Sequence, residues 1–116
     1  MSFRLKRVYD DPAKPDGWRV LVDRVWPRGL TKREAKIDDW LKEVAPSTRL
    51  RKWFGHDPAR WVEFKNRYTA ELKDHRGPLD QLAHKAKGRT ITLLFGAKDV
   101  EHNNAVALKE YIEKLR

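Results

Sequence analysis

Two short stretches of this 116-residue chain gather the side chain types that chemistry needs. The first, Asp23-Arg24-Val25-Trp26-Pro27-Arg28-Gly29, sets a carboxylate beside two guanidiniums and an indole. Its Trp-Pro-Arg-Gly segment fits a type I turn, with Pro at the second place and Gly at the fourth. The second, Ala97-Lys98-Asp99-Val100-Glu101-His102-Asn103, joins an ammonium, two carboxylates, an imidazole and an amide. Guanidinium binds phosphate or carboxylate through paired N–H groups and ammonium supplies a point charge, so Arg24, Arg28 and Lys98 are candidate anion ligands. Asn103 is a further candidate contact, and Trp26 beside Arg28 suits stacking on a base or ring. Asp23, Asp99 and His102 are the candidates for proton transfer, since a spacing of three puts Asp99 and His102 in or beside one helical turn.

Each of these residues also has a plain structural reading. Asp23 at a strand end equally fits an ion pair or a turn cap, and Arg24 and Arg28 equally fit internal ion pairs. Asp99 fits a helix N-cap better than a catalyst, and a helix end facing a crevice is itself suited to anions. His102 is expected in the first turn of that helix. His56, in Trp53-Phe54-Gly55-His56-Asp57-Pro58, sits at a helix–helix corner; packing among aromatics is its first reading and contact with the same crevice its second.

No cofactor is indicated. There is no Gly-rich Walker loop, no dinucleotide fingerprint and no Gly-x-Ser-x-Gly elbow. No two His residues stand four apart as in a helical zinc site, and Asp99 with His102 makes at most half a metal site, so the sequence lends a metal no support and leaves metal dependence open. Zero Cys removes disulfides, thiolate metal sites and thiol nucleophiles together.

The elements that position the two stretches are legible from periodicity. Phe3, Leu5 and Arg7 alternate with charged residues as in a half-exposed edge strand. Arg19-Val20-Leu21-Val22 and Thr90 to Phe95 are too continuously apolar to be amphipathic and read as buried strands. Ile37, Trp40, Leu41 and Val44 share a helical face, and Leu50, Trp53 and Phe54 repeat it behind a possible N-cap at Ser47. Asp57-Pro58 opens a helix carrying Trp61, Phe64, Tyr68 and Leu72, which stops near Gly77-Pro78. Leu79, Leu82, Ala83 and Ala86 mark a fourth helix, and Ala105, Leu108, Ile112 and Leu115 the last.

This order predicts an α/β fold: a small single layered domain over residues 1–116, with a short, mostly parallel sheet of about three strands flanked by helices. The connection from Tyr9 to Gly17 is shorter than a usual parallel crossover, so the first strand is expected to be antiparallel or irregularly joined. If the second and third strands are parallel, Asp23 and Ala97 both follow carboxyl ends on one sheet edge, where ligands of open α/β sheets bind.

Composition narrows the partners. The 26 Lys and Arg exceed the 17 Asp and Glu by nine charges, shared between both halves of the chain, so the excess belongs to the folded surface and not to a tail. Such a surface attracts phosphate, nucleic acid or an acidic partner without choosing among them. The apolar runs are too short to span a bilayer and the first residues lack the apolar block of a secretory signal, so no membrane partner and a cytoplasmic location are expected. Oligomeric state is left open.

The runs DGWRVLVDRVWPRGL (Asp16 to Leu30), APSTRLRKWFGHDPARWVEFKNRY (Ala45 to Tyr68) and LLFGAKDVEHNNA (Leu93 to Ala105) resemble the YeaO-like branch of the bacterial family called domain of unknown function 488. The resemblance covers nearly the whole chain. It implies a small cytosolic α/β domain with Asp23, Arg24, Pro27, Arg28, Gly29, Lys98, Asp99, His102 and Asn103 at matching motif positions, and no particular activity. A more distant branch is similar but places Cys residues after its last strand; without Cys, thiol or metal chemistry of that kind does not transfer. Two function classes follow. One is a site for an anionic small molecule, bearing phosphate or carboxylate and nucleotide-like, with acid–base or hydrolytic chemistry available. The alternative is a non-catalytic nucleic-acid-binding or regulatory module that uses the positive surface.

Overall fold

In the computed structural model, which describes residues 2–115, four strands form one wholly parallel sheet. Strands β1 (Ser2–Arg7), β2 (Trp18–Leu21), β3 (Asp39–Trp40) and β4 (Thr90–Phe95) lie in the order β1-β4-β2-β3. The helices are α1 (Lys32–Ala35), α2 (Thr48–Phe54), α3 (Trp61–Leu72), α4 (Arg76–Lys85) and α5 (Asn104–Lys114), joined by short 3-10 turns. Among the described residues no helix is long and apolar enough to cross a membrane.

Strand alternation divides the apolar residues between two faces. Val20, Val22, Ile91, Leu93 and Phe95 join the main core with Leu50, Phe54, Phe64, Tyr68, Leu72, Leu79, Leu82, Leu108 and Ile112 from α2 to α5. Leu21 and Leu94 point the other way, into a smaller cluster with Val8 and Ala35 that Trp26, Leu30, Ile37 and Trp40 partly cover. Burying both faces is what a parallel sheet requires, and it explains why β2 and β4 read as continuous apolar runs.

β1 pairs parallel with β4 in register Phe3 to Ile91 and Leu5 to Leu93, which corrects the antiparallel alternative for the first strand and leaves the irregular join. No α-helix makes the crossover, which holds only the 3-10 turn Lys14–Asp16. Residues 8–17 are enough to run back along a six-residue strand at up to about 3.5 Å per residue. The returning loop is tied to the sheet by Thr92, whose hydroxyl donates to the Asp16 carbonyl at 2.6 Å, and by Lys6, 3.2 Å from the Asp16 carboxylate. Asp16 and Arg19 form a buried pair at 2.5 Å, and Arg19 also donates to the carbonyls of Ala35 and Lys36 at the end of α1.

The helix expected over Ile37 to Val44 is likewise replaced, by β3 and a 3-10 turn at Lys42–Val44. The open edge of β2 captures the backbone: Asp38 N–H donates to the Arg19 carbonyl at 2.8 Å and Leu41 N–H to the Leu21 carbonyl at 2.9 Å. Its apolar residues therefore split, Ile37 and Trp40 going to the smaller cluster and Leu41 and Val44 to the main core. A single helix would have presented them on one stripe. Gly77 and Pro78 lie inside α4 and not at a stop, because α3 ends at Leu72 and Lys73–His75 turns the chain beforehand. Pro is tolerated there because the first turn of a helix has no use for its missing N–H.

Candidate functional site

The carboxyl ends of β2 and β4 lie on one edge of the sheet, as parallel pairing demands, and the chain segments beyond them enclose a cavity of about 230 Å³. Asp23 forms part of its floor. Its Oδ2 accepts the Gly96 N–H at 2.8 Å and its Oδ1 accepts from Asn104 Nδ2 at 3.0 Å, so one carboxylate links β2, β4 and α5. Burial pushes the Asp23 carboxyl above its ordinary value, against the hydrogen bonds from Asn104 and Gly96 and the smaller opposing influence of nearby Arg51 and His56.

Asn103 and Asn104 bring α5 to the crevice. Asn103 is the N-cap, its Oδ1 accepting from Val106 N–H at 3.0 Å while its Nδ2 donates to the Asp99 carbonyl at 2.9 Å. This corrects the expectation that Asp99 caps the helix. Asp99 stands too far upstream to reach the free N–H groups of α5 and closes a turn of its own, accepting from the N–H groups of Glu101 at 2.9 Å and His102 at 3.0 Å. Those bonds, the Glu101 one foremost, together with the His102 ring hold its carboxyl below the ordinary value. His102 thus precedes the helix instead of sitting in its first turn. Its Nδ1 lies 2.9 Å from Asp99 Oδ2 and its ring meets the Trp61 ring edge-on at 5.4 Å.

The opposite wall comes from α2. Ser47 starts that helix, its hydroxyl oxygen accepting from Leu50 N–H at 3.1 Å and its own N–H and O–H donating to the Glu71 carboxylate of α3. With Leu50 and Phe54 buried, Arg51 falls on the flank that lines the cavity. Gly55 ends α2 in the left-handed conformation, and His56 follows at φ 57°, a conformation L residues adopt at a cost of roughly 1 kcal/mol. His56 lines both the main cavity and an adjoining recess bounded by Gly96, Ala97, Lys98 and Asp99.

Of the residues singled out in the sequence, Asp23, Arg24 and Asn103 line the cavity, Lys98 and Asp99 line the recess, and His102 stands beside Asp99. Arg24 is occupied with structure, donating to the carbonyls of Pro46 at 3.0 Å and Ala45 at 3.2 Å. Trp26 and Arg28 are not brought to the crevice. Trp26 packs on the smaller cluster, edge-on to Trp40 at 5.3 Å, with its indole N–H donating to the Leu30 carbonyl at 2.7 Å. Arg28 is exposed on the same loop, which Tyr9 fastens by donating its hydroxyl proton to the Arg28 carbonyl. In their place come Arg51, His56 and Asn104. His56 carried a signal as a corner residue before Asp57-Pro58, and the Asn103-Asn104 pair stands just ahead of an apolar helical stripe. Arg51 carried none. Among the described residues no group of three or more His, Asp or Glu side chains converges as a metal site.

A parallel α/β domain with a crevice at the carboxyl ends of its inner strands is therefore the class that the fold defines. Within it the chain belongs to the family described as the inactive DUF488-N3 subclade, which matches residues 2–115. It is 42% identical over 115 residues to the uncharacterized protein YeaO of Escherichia coli strain K12, covering 99% of this chain and 100% of that protein. It is 41% identical over 110 residues to the uncharacterized protein Rv3073c of Mycobacterium tuberculosis, covering 94% of this chain and 92% of the relative. The uncharacterized protein Mb3100c of Mycobacterium bovis is similar to the same extent. No solved structure matches the chain.

Proposed function

We propose that the protein is a cytosolic binding module for a small anionic molecule, held in the crevice with its phosphate or carboxylate facing Arg51, His56 and Lys98. The observation that carries this reading is the cavity between β2, β4, α2 and α5, with cationic side chains on its rim and the amino end of α5 at its wall. Helix amino ends and flanking cations favour an anion for the same electrostatic reason. The cavity of about 230 Å³ takes a compact group, and the adjoining recess of about 440 Å³ extends the space toward Lys98. The family description "inactive" supports binding without turnover.

The test is thermal unfolding with millimolar inorganic phosphate. The melting temperature should rise for the wild type and for Arg28→Ala, and the rise should vanish in an Arg51→Ala, His56→Ala double variant. An equal rise in all three proteins would place the anion elsewhere and end the proposal.

Catalysis is a second reading, favoured by one observation: Asp99 orients His102 through Nδ1, as a carboxylate orients a general base. Under the binding reading, a screen of phosphoesters and nucleotides gives no turnover. Were turnover found, His102→Gln should lower it by about 10²- to 10⁴-fold with anion binding intact. The nucleic-acid alternative has weaker support. Trp53 already stacks under Arg60 and Arg67, and Trp18 lies under Lys85 and Arg89, so those indoles offer few free faces to bases. Its mark would be affinity for a short single strand that falls steeply with salt.

A further inference from the structure

The floor of the crevice differs in kind from its rim. Asn104 Nδ2 donates to two acceptors at once, the Val22 carbonyl and Asp23 Oδ1, each at 3.0 Å. Two acceptors fix the orientation of the amide, because the reversed amide would set oxygen against oxygen. Asn104 Oδ1 is therefore left without a hydrogen bond among the described residues, and it is not a buried orphan. Asp23 is in the same position. Each carboxylate oxygen accepts one hydrogen bond, from Gly96 N–H or Asn104 Nδ2, and an ionised carboxylate has about four lone-pair sites. Asn103, the remaining polar side chain of this wall, has both amide atoms engaged in the cap. Arg24, which also lines the cavity, is turned toward the Pro46 and Ala45 carbonyls through Nε and Nη2. Apart from its remaining N–H groups the polar capacity left on the floor is acceptor capacity, while the rim offers the donors of Arg51, His56 and Lys98.

An anion alone cannot satisfy both surfaces, since phosphate oxygens set against Asp23 would bring like charges together in a half-buried place. A donor at one end and an anion at the other matches both. Building on the anion-binding reading, we propose that the crevice takes a compact bifunctional ligand, an aliphatic amine carrying a phosphate or carboxylate. Its ammonium hydrogen-bonds Asp23 and Asn104 Oδ1, and its anionic end faces Arg51, His56 and Lys98. The apolar stem between them lies along Val25, Pro46 and Phe54. Burial that opposes ionisation of Asp23 adds to the match, because a cation seated against the carboxylate offsets the loss of water.

Calorimetric titration of the whole protein with aminoalkyl phosphates of graded chain length, each beside its alkyl phosphate counterpart, tests this. The amine should tighten binding by roughly tenfold to a hundredfold at the best chain length, the worth of a hydrogen bond to a charged group. Asp23→Asn should abolish that preference while leaving alkyl phosphate affinity in place, and Arg51→Ala should weaken both series. Equal wild-type affinity for amine and counterpart at every length overturns the bifunctional ligand and leaves the anion site standing. Failure of both series to bind overturns the two together. Because Asp23 also ties the strands, an Asp23→Asn variant that does not fold is set aside, and the wild-type comparison decides alone.

Discussion

Asp23 accepts the Gly96 N–H at 2.8 Å, extending the join of β2 and β4 beyond their last paired residues, Leu21 and Leu94, by way of a side chain. The parallel ladder ends where the chain leaves β2 for α1 and β4 for α5, and the carboxylate spans the gap. A carboxylate that closes a sheet edge is held in place by the fold, and in the proposed reading its remaining lone pairs meet the ligand. That reading gives one group both a structural and a recognition role.

That double role has a pH signature. Burial raises the Asp23 carboxyl above 3.8, so between 3.8 and its raised folded-state value the unfolded chain ionises while the native protein keeps the proton, and stability falls as pH rises. Asp23→Asn lacks this contribution. The stability of the wild type relative to Asp23→Asn, from urea unfolding, should decline across that window and stay level above it. A difference that grows with pH would reverse the sign and contradict the burial argument.

Asp16 should behave in the opposite way. Burial opposes its ionisation, but the Ala13 N–H, Lys6 and Arg19 outweigh that and hold the carboxyl below 3.8, so its contribution is present above 3.8 and is lost as pH falls through the folded-state value. Asp16→Ala leaves Arg19, 4% exposed, without its charge partner. Breaking a buried pair in this manner costs about 3–5 kcal/mol, readable by chemical denaturation at neutral pH.

Gly17 and Gly88 separate two glycine requirements. Both have positive φ, 65° and 74°, but a Cβ on Gly17 would collide with the Thr90 carbonyl whereas one on Gly88 meets open space. Gly88→Ala should cost about 1 kcal/mol for conformation alone, and Gly17→Ala distinctly more. Equal losses in thermal unfolding would mean that the crossover loop does not press on β4 as described.

His56 offers a way to part binding from folding. Replacing it by Gly relieves the left-handed backbone while loosening the unfolded chain, and these effects offset to within about 0.5 kcal/mol. Stability should hardly change in His56→Gly. Phosphate affinity should fall, because a ring N–H donor is gone from the rim. A large loss of stability would instead make His56 a packing residue of the Phe54 corner, 6.4 Å from that ring.

Local chemistry in the sequence determined much of this protein. The apolar runs at Arg19 to Val22 and Thr90 to Phe95 could only be buried strands, Ser47 capped α2 as its side chain allows, and the stripe Trp61, Phe64, Tyr68 and Leu72 folded as one helix. Parallel pairing then put Asp23 and Ala97 at one sheet edge, so the place of the crevice followed from the strand order. Tertiary structure alone decided the rest. Ile37 to Val44 has a helical period, but the unpaired edge of β2 offered hydrogen bonds and two faces to cover, and drew it out as β3. Trp26 and Arg28 are near neighbours of Asp23 in sequence, yet Trp26 packs on the second face of the sheet and Arg28 stands exposed in the turn that follows, away from the crevice. Arg51 and Asn104 reached it by the converse route. Their positions depend on how α2 and α5 pack against residues far away in the chain, through Ser47 on Glu71 and Asn104 on Val22, and no local period records such contacts.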